Sequence, residues 1–152
     1  MDPASGVVLV VIVLLALYYV VLPRLGIWTR SPFARTSGHV DPGKETLFTP
    51  IHDVAALDPL FARSQDRPVT LFLHDKGCPI SAAAYRQMTR LGDEIPLIDV
   101  QRAKDVSCAL EARTGVRHES PQVIVLRHGR AIWSASHYAI TAQAVANALQ
   151  EA

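Results

Sequence analysis

Cys78 stands in the run Lys76-Gly77-Cys78-Pro79-Ile80-Ser81, directly after the strand-like stretch Val69-Thr70-Leu71-Phe72-Leu73-His74. The spacing is that of a Cys-x-x-Cys dithiol site with Ser81 in place of the second cysteine. Pro79 suits the first turn of a helix, where a missing N–H costs nothing. Cys78 is then the expected N-cap, facing the free N–H groups and the positive end of the helix dipole. Such surroundings favour thiolate, the nucleophilic form of cysteine. Lys76 adds a positive charge nearby. Ser81, three residues on, shares a helix face with Cys78. Its hydroxyl can donate a hydrogen bond to a thiolate, but it cannot attack a mixed disulfide. The chemistry left to a single thiol is exchange with a disulfide, a mixed-disulfide intermediate, and resolution by an outside thiol. The competing reading is a buried structural cysteine, since free cysteine is among the most buried residue types.

The elements that must position this thiol emerge from pattern and turn chemistry. Asp58-Pro59 reads as the cap and first turn of a short helix ending near Ser64. Residues 69–74 are a strand candidate, residues 79–91 a helix with small Ala82, Ala83 and Ala84, and residues 95–100 a second strand. Residues 103–114 form a helix closed by Gly115. Residues 122–127 and 131–135 are two strands joined by a His128-Gly129 turn. Thr141 caps a last helix to about Gln150, with Ile140 and Val145 as its hydrophobic staple. The order α, β, α, β, α, β, β, α combines a right-handed βαβ crossover with a closing hairpin. That is a thioredoxin-like α/β fold, a central mixed four-stranded sheet with helices on both faces. In this fold the active cysteine follows the first core strand, where Cys78 falls. A cis proline stands opposite it, and Pro121, just before a strand, occupies that place. Ser120, the residue before it, offers backbone groups to a bound peptide or thiol.

The chain has 152 residues, 15 Lys+Arg and 14 Asp+Glu, enough for one ordinary domain. Residues 6–22 form an apolar run of 17 residues without a charge, near the lower limit for a membrane span. Arg24, Arg30 and Arg35 come after it, while only Asp2 precedes it. A secretory signal shows the opposite arrangement and a small-x-small cleavage site. The run is therefore expected to be one transmembrane helix preceding the fold. The positive-inside rule puts the C-terminal part of the chain in the cytoplasm. The expected organisation is an anchor over 1–25, a linker over 26–46 and the thioredoxin-like domain over 47–152.

From Glu45 onward there are 11 Lys+Arg and 12 Asp+Glu, and no basic stripe suggests nucleic acid. The 6 histidines lack metal-ligand spacing, so no metal is expected. The 2 cysteines, Cys78 and Cys108, are too few for a disulfide scaffold and suit a reducing compartment. Cys108 lies about 200° round its helix from Val106, which predicts an exposed thiol on the polar side. It reads as incidental, as a resolving cysteine or as a link between chains.

Three segments in order resemble the monothiol bacilliredoxin family: Cys78-Pro-Ile-Ser81, Thr114-Gly-Val-Arg-His-Glu-Ser-Pro-Gln122, and Ile132-Trp-Ser-Ala-Ser-His-Tyr-Ala-Ile-Thr141. The resemblance extends over residues 47–148. It implies a thiol–disulfide oxidoreductase that removes bacillithiol from mixed disulfides on cytoplasmic proteins, with bacillithiol as thiol co-substrate and no bound cofactor. On that reading Cys78 is the nucleophile, supported by Lys76, Gly77, Pro79 and Ser81. Ser120 and Pro121 form the opposing wall, and His118 and Glu119 contact the small thiol. A second bacillithiol, or a bacillithiol disulfide reductase, clears the intermediate. His137 either hydrogen-bonds a ligand or serves as a structural turn residue, and His74 is expected to pack beneath the site. The chain departs from the family at Gly77, where threonine is usual, and at Tyr138, where tryptophan is common. The expected anchor also distinguishes it from soluble members and would confine its clients to the membrane. Glutaredoxin-like exchange with another small thiol, and a non-catalytic tethered module that binds a partner through the proline groove, stay open.

Overall fold

The computed structural model describes residues 46–152. Five strands form one sheet in the order β1-β3-β2-β4-β5. They are β1 (Leu47–Ile51), β2 (Val69–His74), β3 (Glu94–Asp99), β4 (Gln122–Arg127) and β5 (Arg130–Ser136). β1 and β2 both run parallel to β3, and β4 runs antiparallel to β2 and β5. Four helices accompany them: α1 (Leu57–Arg63), α2 (Pro79–Met88), α3 (Lys104–Thr114) and α4 (Ala142–Gln150).

The expected four-stranded sheet is corrected to five. The added strand, Leu-Phe-Thr-Pro-Ile, hides its identity behind Pro50, which demotes a run in any pattern-based reading. Proline is tolerated on an edge strand because its missing N–H removes no ladder bond on the open side. β1 is such an edge, paired only with β3 from Leu47↔Glu94 to Ile51↔Ile98. The expected transmembrane helix falls on residues 6–22, outside the described residues. Among the described residues no helix is long and apolar enough to cross a membrane.

β2 is buried along its whole length, and its period of two sorts side chains onto two cores. Val69, Leu71 and Leu73 join Leu57, Leu60, Val106 and Leu110 on the face covered by α1 and α3. Phe72 joins Ala84, Met88, Ile140 and Val145 on the face covered by α2 and α4. The central strand is thus covered on both faces, as parallel pairing requires.

Most element ends match the residues that should make them. Thr141 Oγ1 accepts from Ala144 N–H at 3.1 Å and caps α4. Gly115 closes α3 at φ 71°, its N–H donating to Glu111 O. His128 and Gly129, at φ 51° and 71°, form the left-handed pair that a two-residue hairpin turn needs. One cap differs from expectation. Asp53, not Asp58, caps the entry to α1, accepting from Ala55 N–H at 2.6 Å and starting a 3-10 turn, Val54–Ala56, that runs into the helix. Asp58 instead lies in the first turn of α1 and holds Arg113 of α3 at 2.7 Å.

Candidate active site

The sheet register gathers the site at one end. Leu73 of β2 pairs with Gln122 of β4, His74 with Asp99 of β3, and Gln122 with Ser136 of β5. The loops leaving β2, β3 and β5 and the loop entering β4 therefore emerge together. Cys78 lies on the first, Gln101 on the second, His137 on the third, and Ser120-Pro121 on the fourth. α2 also packs against the turn His137–Ala139.

Cys78 is the N-cap of α2, in extended conformation, with Pro79 at the helix start. Its carbonyl accepts from Ala82 N–H at 3.0 Å. Its side chain makes no capping hydrogen bond. The thiol is free and half-buried, which leaves it open to an outside reagent. Ser81 is fully buried. Its hydroxyl accepts from Asp75 N–H at 3.2 Å, so it braces the loop from below.

Lys76 reaches Asp99, with Nζ 3.6 Å from Oδ2. Gly77 donates its N–H to Asp75 Oδ1 at 2.8 Å. A side chain at position 77 would meet only Asp75 Oδ1, at 3.4 Å, an ordinary contact. The glycine there is not forced by space.

Asp75, Asp99 and Gln101 form a polar brace that the sequence reading missed. Gln101 Nε2 donates to Asp75 Oδ2 at 3.1 Å. Asp99 is buried and accepts from Gln101 N–H at 3.1 Å. The Asp75 carboxyl is held below its usual range, first by the Gly77 N–H and then by the Gln101 amide. The available signal was Asp75-Lys76-Gly77, an Asx-turn pattern.

His74 packs beneath the site as expected. Only 7 % of it is exposed, and its ring lies 5.4 Å from those of Phe72 and Tyr85. Burial lowers its pKa below 6.5; Asp99 and Asp75 oppose that shift and Lys76 adds to it. Unfolded protein therefore binds a proton at His74 before the folded protein does. The neutral ring's share of stability is complete above about pH 6.5 and is lost as pH falls through the lowered folded value. Urea unfolding at about pH 7.5 and 5.5 is expected to show this acid loss shrinking in His74→Phe. An unchanged acid loss in that variant would show that other groups cause it.

Across the site, the Ser120–Pro121 peptide bond is cis. Pro121 is buried, and Ser120 Oγ is buried with no hydrogen-bond partner. Gln122, also missed by the sequence reading, clamps this loop. Its Nε2 donates to Arg117 O at 2.9 Å and its Oε1 accepts from Glu119 N–H at 3.2 Å. His118 donates its N–H to Glu111 Oε2 at 2.9 Å. The Glu119 carboxylate lies 3.6 Å from His137 Nδ1. His137, at φ 54°, donates its N–H to Pro121 O at 3.0 Å. The structure thus joins Glu119, His137 and Pro121 in one connected wall. Tyr138 beside it is 80 % exposed.

Cys108 is exposed on α3, as its helical position predicted. α3 covers the opposite face of the sheet from α2, so the second thiol is not part of this cluster. No group of His, Cys, Asp or Glu suited to a metal occurs among the described residues.

Residues 49–145 match the family model of monothiol bacilliredoxin BrxC. The chain belongs to that family. The bacilliredoxin is accordingly a thiol–disulfide oxidoreductase, and its one cysteine at the helix start agrees with the family's monothiol description. A solved structure described as having a thioredoxin fold is 25 % identical, with a TM-score of 0.62, over 67 % of the bacilliredoxin and 93 % of that chain. Thioredoxin from Malassezia sympodialis is 12 % identical with a TM-score of 0.56, over 74 % of the bacilliredoxin and 95 % of its own chain. Fasciola hepatica thioredoxin is 11 % identical with a TM-score of 0.54, over 67 % and 96 % of the two chains. The two thioredoxins support the fold.

Proposed function

We propose that this bacilliredoxin removes bacillithiol from protein mixed disulfides through Cys78. The observation that carries the reading is a half-buried, unpaired thiol at the start of α2 with buried Ser81, not a cysteine, one turn below. The Cys78 thiolate attacks the bacillithiol sulfur. The client–bacillithiol S–S bond breaks as the Cys78–bacillithiol bond forms, and the client sulfur leaves as thiolate and takes a proton from water. A second bacillithiol, or a bacillithiol disulfide reductase, then attacks the adduct and returns Cys78 to thiolate. The wall of Ser120, Pro121, His118, Glu119 and His137 faces the exchanging disulfide. Both described cysteines are free, and the cytoplasm, which keeps thiols reduced, is the compartment proposed for this cycle.

The test is a reporter protein carrying either bacillithiol or glutathione on one cysteine, treated with the full chain. Removal of bacillithiol at least about tenfold faster is expected, a difference of about 1.4 kcal/mol in transition-state stabilisation. Faster removal of glutathione would reassign the small thiol.

A further inference from the structure

The cis-proline wall lies on one flank of Cys78, and α2 separates it from a second feature. That feature is an open cavity of about 510 Å³ between α2 and the β1–β3–β2 part of the sheet. Phe48, Tyr85 and Leu97 give it an apolar wall, Lys76 and Arg86 give it cationic donors, and His74 adds a polar ring. No acidic side chain lines it. Arg86 has no ion-pair partner among the described residues. His74 is more than nine-tenths buried, and its Nδ1 has no hydrogen-bond partner. An unsatisfied buried nitrogen and an unpaired guanidinium on one cavity call for a polar partner from outside, and the guanidinium for an acceptor.

The cavity also comes close to the thiol along the chain, since Lys76 and Ala82 on either side of Cys78 line it. Ala82, Tyr85 and Arg86 are four, seven and eight residues after Cys78 and share its side of the helix. Arg86 lies about 12 Å along the helix from Cys78 at the usual rise per residue. Lys76 stands two residues before the thiol. A small molecule joined through sulfur to Cys78 can therefore lay its body along this flank.

We propose that this cavity binds the carboxylate-bearing, non-sulfur part of the small thiol exchanged at Cys78. Lys76 and Arg86 receive the carboxylates, His74 supplies a polar contact at the floor, and Phe48, Tyr85 and Leu97 cover the carbon skeleton. The opposite flank, at Pro121, is left for the client polypeptide. This assignment rests on the oxidoreductase reading above and names the ligand class its second subsite accepts.

The test uses the full chain and a reporter protein carrying one of two small thiols, mercaptosuccinate with two carboxylates or neutral 2-mercaptoethanol. The quantity read is the ratio of kcat/KM for the two. Arg86→Gln is expected to lower the anionic-to-neutral ratio about fivefold to tenfold. Ala82→Glu, which puts a carboxylate into the cavity, is expected to lower it further. Arg90→Gln removes the same charge near the end of α2, off the cavity, and is expected to leave the ratio alone. Succinate, which has no sulfur, is expected to shift the His74 imidazole resonances of the full chain, and Arg86→Gln to weaken that shift. A ratio unmoved by Arg86→Gln, or moved equally by Arg90→Gln, would overturn the assignment while exchange itself persists. Exchange with neither reporter in the unaltered chain would instead overturn the oxidoreductase reading, and this assignment with it.

Discussion

Cys78→Ser is expected to reduce disulfide exchange to the uncatalysed background, a loss of at least about a thousandfold, because a serine hydroxyl stays protonated and cannot form the mixed disulfide. The variant should remain folded. Serine is a good N-cap residue, and the Cys78 backbone bonds to Asp75 and Ala82 do not depend on the sulfur. Cys108→Ser is expected to retain activity within about twofold, since an exposed thiol on the far face does not resolve an adduct at α2. Initial rates on a mixed-disulfide reporter, beside a circular dichroism spectrum, check both. A Cys78→Ser chain that still binds client protein, from an unaltered chain with no exchange activity, would favour the tethered binding module.

Ser81→Cys is expected to change the type of chemistry. Residues three apart on a helix have Cβ atoms about 5–6 Å apart, within reach of disulfide formation after modest adjustment of the first turn. The new thiol would attack the Cys78 adduct from within the molecule, at an effective concentration no free small thiol matches. The adduct should therefore stop accumulating. The chain should end with an internal disulfide between positions 78 and 81, and the small thiol should be released. The change also removes the hydroxyl that accepts from Asp75 N–H, costing about 1 kcal/mol. Intact mass after a single turnover distinguishes the outcomes. An adduct as long-lived as in the unaltered chain would show that a thiol at position 81 cannot reach the Cys78 sulfur.

The parts of this site that rest on one residue at one place were legible in the sequence. Pro79 marked the helix start and so the cap at Cys78, and the serine at position 81 excluded a resolving thiol at the second position of a Cys-x-x-Cys site. The helical phase of Cys108 placed it outside, where it lies. The parts that depend on partners distant in the chain were not legible. Nothing in the sequence near Gln122 says that its amide holds Arg117 and Glu119. The brace of Asp75 and Gln101 joins two loops that only the β2–β3 pairing brings side by side. β1 escaped for a different reason, since Pro50 opposes a strand locally and only pairing with β3 overrides it. Helical spacing put Ser81 on the side of the thiol, while the bond its oxygen accepts from Asp75 N–H was not legible, because it depends on how the preceding loop folds back.

The most direct measurement is peptide mapping by mass spectrometry of the full chain, quenched after mixing with a bacillithiolated reporter protein. One bacillithiol on the peptide carrying Cys78, released again by added bacillithiol, is the predicted result. An adduct confined to Cys108, or none with Cys78 shown reduced at the start, would contradict the account.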